Sequence, residues 1–226
     1  MRRTTLVTGG ASGLGSAIVD RLLAAGEYPA VLDLKPPRQD VPYQAVDLAD
    51  PRAAEAAVHT VAEDTGGLAA IVTTAGIDRP GALSDVDARD WERVIAVNLV
   101  GTAAVVRAAL PYLRRTGGNV VTIASTLGVR AVADATAYCA AKFGVVGFTR
   151  ALAAELAGSV GVSLLIPGGM RTAFFDGRDE QYRPGPDSAL NDPVNVAEAV
   201  LFALRQPAGC SVREMVICPS LESSYP

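Results

Sequence analysis

The stretch TTLVTGGASGLG, residues 4–15, decides the fold of this 226-residue chain. A short β-prone run, Thr4–Thr8, leads into a glycine-rich turn, and an apolar pattern at helical spacing follows over residues 13–25. A turn of this kind places free backbone N–H groups and little side-chain bulk at the start of a helix, as a pyrophosphate requires. The stretch therefore predicts the first strand, phosphate-binding turn and first helix of a dinucleotide-binding domain.

The alternation of strand and helix patterns continues along the chain. The long pattern at 85–115 is read as one or two helices, with Pro111 as its only obvious interruption. Strands that alternate with helices form a parallel sheet covered on both faces, so we expect one α/β domain over residues 1–226. Further strands are predicted at 28–33, 43–46, 68–74, 119–125, 160–166 and 214–218, and further helices at 51–64, 85–115, 135–156 and 193–205.

Composition argues against several kinds of site. The chain has 20 positive and 24 negative side chains and a net charge of −4, which disfavours a nucleic-acid surface. His59 is the only histidine and lies in a predicted surface helix, so neither the common zinc sites nor a Ser-His-Asp triad is expected. Three cysteines without C-x-x-C spacing fit reduced thiols. Because charged residues interrupt every apolar run, we expect no membrane contact and a cytoplasmic protein.

Asp33 ends the second predicted strand, where a carboxylate can accept hydrogen bonds from both hydroxyls of an adenosine ribose. The same carboxylate repels a 2′-phosphate, so Asp33 favours NAD over NADP. Four nearby cations leave room for a mixed preference: Arg2, Arg3, Lys35 and Arg38.

Tyr138 and Lys142 are four residues apart in a predicted helix and therefore project from one face. A free phenol, with a pKa of about 10, is too weak a base at neutral pH. An ammonium about 5 Å away, at an effective dielectric of roughly 20, favours the phenolate by about 3 kcal/mol. The pair therefore predicts a lowered pKa of Tyr138 and a role in proton transfer. Ser125 ends the fifth predicted strand, at the sheet edge where ligands of such folds bind, and Asn98 sits mid-helix at a cost in propensity.

These motifs together resemble the short-chain dehydrogenase/reductase family, in its short, single-domain branch. The match includes the T-G-x-x-x-G-x-G spacing from Thr8, the Tyr-x-x-x-Lys pair and P-G-x-x-x-T over residues 167–172. The resemblance implies that Ser125 polarises a substrate carbonyl, that Tyr138 moves the hydroxyl proton, and that Lys142 assists it and holds the nicotinamide ribose. It also implies that Asn98 anchors a water that links the lysine to solvent.

The resemblance also implies a set of cofactor-binding residues. Asp47 would hold the adenine amine, and the Ile166 backbone with the Thr172 hydroxyl would hold the nicotinamide carboxamide. Thr73 and Thr74 replace the asparagines usual in the family, which puts their hydrogen bonds to the central sheet in doubt. The full implied set is Gly9, Ser12, Gly13, Leu14, Gly15, Asp33, Asp47, Leu48, Ala75, Gly76, Tyr138, Lys142, Pro167, Gly168 and Thr172.

We therefore expect a Rossmann-type, doubly wound, mainly parallel seven-stranded sheet in the order 3-2-1-4-5-6-7. The expected activity is NAD(H)-dependent interconversion of a secondary alcohol and a ketone, on a hydroxyacyl, hydroxysteroid or similar small apolar substrate. Residues 173–192 are expected to form a substrate loop, or lid, and a homotetramer or homodimer is expected. The substrate residues would be Thr126, Gly169, Phe174 and Phe175.

Two alternatives remain open. A non-catalytic dinucleotide sensor could keep the fold, but it would be expected to lose Tyr138, Lys142 or Ser125, which are all present. An epimerase or dehydratase of the family's extended branch would need a substrate domain for which this chain is too short.

Overall fold

Among the described residues, seven parallel strands form one sheet in the chain order 3-2-1-4-5-6-7, which confirms the predicted architecture and topology. The computed structural model describes residues 4–207, 209–222 and 225, so Arg2 and Arg3 lie outside the described residues. The strands are β1 (Thr4–Thr8), β2 (Tyr28–Asp33), β3 (Tyr43–Ala45), β4 (Ala70–Thr73), β5 (Asn119–Ile123), β6 (Gly161–Pro167) and β7 (Glu214–Ile217). The helices are α1 (Gly13–Ala24), α2 (Pro51–Thr65), α3 (Ala88–Ile95), α4 (Thr102–Thr116), α5 (Thr136–Glu155) and α6 (Pro193–Leu204).

The two faces of the sheet are covered by different helices. Along β1, Leu6 belongs to the core that packs against α2, α4 and α5, whereas Val7 belongs to the core that packs against α1 and α6. Neighbouring residues of a strand point to opposite faces, so every residue of β1 is buried. This two-sided burial explains why the strands are apolar without alternation.

The predicted bounds agree with the structure to within one or two residues, apart from the long pattern at 85–115. There, α3 begins only at Ala88, where the Asp87 side chain accepts the N–H of Arg89. The prediction that Pro111 interrupts the helix is also wrong, because α4 runs through Pro111 to Thr116. Instead, a stretch of π-helix, Ala96–Gly101, joins α3 to α4.

The joined helix 88–116 bears on the expectation of no membrane contact, which rested on charged residues that interrupt every apolar run. By length and composition alone, this one helix is long and apolar enough to cross a membrane. More than half of its apolar stretch is buried inside the domain. Val94, Val105 and Leu113 are among the buried residues, so its apolar character belongs to the protein core.

Candidate active site

A cleft with a volume of about 1250 Å³ lies along the carboxyl ends of the strands. In open α/β sheets this edge is where ligands bind. The residues predicted for the site line this cleft, except Asn98 and Ile166. Those that line it are Gly9, Ser12, Gly13, Leu14, Gly15, Asp33, Asp47, Leu48, Ala75, Gly76, Ser125, Thr126, Tyr138, Lys142, Pro167, Gly168, Gly169, Thr172, Phe174 and Phe175.

The glycine-rich turn between β1 and α1 leaves an open cradle at the helix N-terminus. A Cβ on Gly15 would lie 2.1 Å from the Gly9 carbonyl oxygen, and one on Gly9 would lie 2.8 Å from the Ala75 backbone. Gly9 also has a φ of 71°, which favours glycine. The Ser12 side chain makes no capping hydrogen bond to the helix. The turn therefore fits a pyrophosphate, which needs close backbone approach and uncapped N–H groups.

Asp33 lies at the end of β2 with its carboxylate fixed by the backbone. One oxygen accepts the N–H of Ala11 at 3.0 Å, and the other accepts the N–H of Lys35 at 3.1 Å. Arg38, one of the cations considered near this site, instead donates to Ser16 and pairs with Asp20 on α1. Since each carboxylate oxygen can accept more than one hydrogen bond, Asp33 still fits a ribose diol.

Asp47, implied to hold an adenine amine, has partners within the chain. Its carboxylate accepts the N–H of Ala49 at 2.9 Å and a guanidinium N–H of Arg93 at 2.8 Å. Burial opposes ionisation, but these two hydrogen bonds and the Arg93 charge outweigh it and lower the pKa of Asp47. Arg93 also lines the cleft. No local sequence pattern predicts this role for Arg93, because its partner lies 46 residues away in the chain.

Thr74 makes the bond to the central sheet that its replacement of asparagine had put in doubt. Its hydroxyl donates to the Thr8 carbonyl oxygen at 2.5 Å, and the Thr8 hydroxyl accepts the N–H of Ala75 at 3.3 Å. The Thr73 hydroxyl, by contrast, is buried without a hydrogen-bond partner among the residues that the structure describes. One of the two threonines therefore ties β4 to β1.

Ser125, Tyr138 and Lys142 meet on the floor of the cleft. The Ser125 hydroxyl lies close enough to the Tyr138 hydroxyl to influence its ionisation. The Lys142 Nζ lies 5.6 Å from the centroid of the Tyr138 ring and donates to the Ile123 carbonyl oxygen at 2.9 Å. All three side chains can thus act on one substrate group.

The expected lowering of the pKa of Tyr138 is wrong for this structure. Burial raises its pKa well above the usual value, and the Asp78 charge adds to that effect, while the Ser125 hydroxyl and Arg178 oppose it. The prediction counted the attraction of an ammonium and omitted the loss of water around a buried phenolate. Burial also lowers the pKa of Lys142 to about 8, which weakens that attraction.

Asn98 lies behind the cleft, in the π-helical stretch. Its side-chain oxygen accepts the N–H of Ile77 at 2.8 Å, and its side-chain nitrogen donates to the Ile77 carbonyl oxygen at 2.8 Å. A Cβ on Gly76 would lie 3.5 Å from Asn98 Oδ1 and 3.8 Å from Lys142 Nζ. Asn98 therefore holds the segment after β4 in place beside the lysine.

The loop after β6 forms the other wall of the cleft. Phe174 packs against Tyr138 with ring centroids 5.6 Å apart. Arg178 forms an ion pair with Asp78, at 3.0 Å, that the sequence did not predict. Glu222, which follows β7, was also missed, and it accepts the N–H of Gly169 at 3.1 Å. No motif marks these contacts, because each joins segments far apart in the chain.

A glycine-rich turn at a helix N-terminus, a carboxylate at the end of β2 and a Ser-Tyr-Lys cluster line one cleft, as expected of a dinucleotide-dependent oxidoreductase. Comparison with known proteins agrees, since the family model for short chain dehydrogenase matches residues 3–183. The chain belongs to the short-chain dehydrogenase family. Members of this family bind a nicotinamide dinucleotide and act on small molecules, and this chain is an oxidoreductase acting on CH–OH groups.

Several similar proteins are dehydrogenases. The chain is 30% identical over 219 residues to 2,5-dichloro-2,5-cyclohexadiene-1,4-diol dehydrogenase LinX of Sphingobium indicum, covering 88% of each chain. It is 32% identical over 230 residues to 2-(S)-hydroxypropyl-CoM dehydrogenase 3 of Xanthobacter autotrophicus, covering 89% of each. An alcohol dehydrogenase from Thermococcus sibiricus, solved with 5-hydroxy-NADP, has the same fold, with a TM-score of 0.86, 23% identity and 98% of each chain covered.

Proposed function

We propose that this chain interconverts a secondary alcohol and a ketone, with NAD(H) as the hydride carrier. The observation that carries the proposal is that Ser125, Tyr138 and Lys142 line the same cleft as the glycine cradle. When bound, the nicotinamide supplies or accepts the hydride at the carbinol carbon.

The residues of the chain handle the proton and the orientation of the substrate. Ser125 donates a hydrogen bond to the substrate oxygen and holds it beside Tyr138. In the reduction direction Tyr138 gives its proton to that oxygen, and in oxidation it takes the proton back. The Lys142 ammonium, 5.6 Å from the Tyr138 ring, stabilises the phenolate formed after the proton has left. Asn98 fixes the backbone of Ile77, next to Gly76, which lies beside the lysine ammonium.

The proposed cofactor is NAD rather than NADP. The Asp33 carboxylate faces the cleft and would repel a 2′-phosphate. Arg38, which could have bound that phosphate, is engaged by Ser16 and Asp20 on α1. Both observations favour a ribose that carries free hydroxyls.

The experiment that tests this proposal is a panel of secondary alcohols and ketones, followed by NADH absorbance. We expect turnover of at least one class, with a higher kcat/KM for NADH than for NADPH. Cyclic and open-chain ketones, hydroxyacyl esters and hydroxysteroids belong in the panel. Tight NADH binding without turnover of any member would favour the dinucleotide sensor instead.

A further inference from the structure

Two charged side chains lie inside the cleft beside the catalytic residues, and the proposed reaction does not use them. Arg178 comes from the loop after β6, and Asp78 comes from the segment after β4. Their side chains are 13% and 6% exposed, and Arg178 Nη2 lies 3.0 Å from Asp78 Oδ2. Both residues line the cleft. Each charge is therefore neutralised where a substrate would bind.

Aromatic rings hold the guanidinium in place. The Arg178 Cζ lies 4.8 Å from the centroid of the Phe174 ring and 4.7 Å from that of Phe175. Phe174 in turn packs on Tyr138. The ion pair is thus one ring away from the residue that transfers the proton, and both of its charges act on Tyr138.

This arrangement bears directly on the charge of the substrate. An anionic substrate could displace Asp78 from Arg178, which would leave a buried carboxylate without its partner. If Asp78 stayed in place, the incoming anion would instead meet a like charge. Burial already raises the pKa of Asp78 in spite of Arg178, so a second negative charge nearby is especially unfavourable. A neutral substrate incurs neither penalty.

We propose that Asp78 is a specificity-determining residue, which neutralises Arg178 so that the cleft accepts neutral alcohols and ketones and rejects carboxylates. This inference rests on the proposed function. Removal of the Asp78 charge without change of its shape should free Arg178 to bind an anion. The Asp78→Asn variant should therefore gain activity on carboxylate substrates.

The test compares matched ketones that differ only in charge, ethyl acetoacetate with acetoacetate and methyl 4-acetylbenzoate with 4-acetylbenzoate. For the wild type we expect kcat/KM to favour the ester by at least about ten-fold. In Asp78→Asn this ester-to-acid ratio should fall by about ten-fold or more, because activity on the acids rises. The Asp78→Asn/Arg178→Gln double variant should lose that added activity on the acids. A wild type that prefers the acids, or treats both alike, would overturn the inference even if the variants did not fold.

A binding measurement separates this inference from the proposed function. Calorimetric titration of 4-acetylbenzoate, with saturating NAD⁺, should give Asp78→Asn an affinity about ten-fold above that of the wild type. Asp134→Asn is the matched control, because Asp134 contacts the same loop through Tyr182 at 3.4 Å and has a positive φ of 57° that asparagine tolerates. An equal gain in the control, or none in Asp78→Asn, would overturn the inference. If no ketone is turned over, the proposed function fails, and the titration still decides this inference.

Discussion

Asp33 fixes its carboxylate through two backbone N–H groups, from Ala11 and Lys35, before any ligand arrives. Loss of a hydrogen bond to a charged group costs roughly 1.5–3 kcal/mol. We therefore expect Asp33→Ala to raise the KM for NADH by about ten-fold or more, with little change in kcat. The preference for NADH over NADPH should become smaller. Steady-state kinetics with both cofactors will check this. Asp40→Ala, an exposed carboxylate outside the cleft, is the control and should leave both KM values unchanged.

Lys142 makes stability depend on pH. Burial lowers its pKa from 10.5 to about 8, so between these values the folded state binds fewer protons than the unfolded state. The free energy of unfolding then rises with pH across this window. Relative to Lys142→Met, the wild type should gain about 2.5 kcal/mol between about pH 7 and pH 10. Urea unfolding of both proteins at several pH values will measure it. If the difference in free energy of unfolding between the wild type and Lys142→Met stayed constant with pH, the lysine would not be desolvated.

At the scale of single elements, the turn between β1 and α1 depends on the absence of a side chain at Gly15. A Cβ there would lie 2.1 Å from the Gly9 carbonyl oxygen. We expect Gly15→Ala to destabilise the protein by about 1–3 kcal/mol and to weaken NADH binding. Gly147→Ala in α5 is the control, because a Cβ there meets no atom within 4 Å. That change should stabilise the helix by about 0.5–1 kcal/mol. Thermal unfolding and NADH fluorescence titration will compare the two variants. Equal stability and equal NADH affinity in both would contradict the requirement for glycine at position 15.

Local patterns predicted the elements better than they predicted contacts between them. The strand ends carrying Asp33 and Ser125 could be placed, because parallel strands present their carboxyl ends at one edge. The hydrogen bonds between Asn98 and the Ile77 backbone could not be predicted, because they join residues 21 positions apart in the chain. The Asp78–Arg178 pair joins residues a hundred positions apart and has no local signature. The sign of the pKa shift of Tyr138 was missed because it depends on three-dimensional burial.

At the scale of the whole molecule, we propose that the chain forms a homodimer or homotetramer through apolar side chains exposed on the π-helical stretch and on α5. Val100, in the π-helical stretch, and Phe143, on α5, are 43% and 44% exposed. Light scattering should give twice or four times the chain mass of 23.3 kDa. Phe143→Arg should lower that mass, because association would bury the arginine charge in the interface between subunits. A wild-type mass of one chain would contradict the proposal.

The central claim is that Tyr138 transfers the proton while the rest of the cleft binds the cofactor. The measurement that tests it most directly is the kinetics of Tyr138→Phe, together with its NADH affinity. We expect kcat to fall by roughly a thousand-fold, because a positioned acid–base group contributes about that much. NADH binding, followed by fluorescence, should change by no more than about two-fold, since the ring and its packing on Phe174 remain. Turnover close to that of the wild type in this variant would contradict the account.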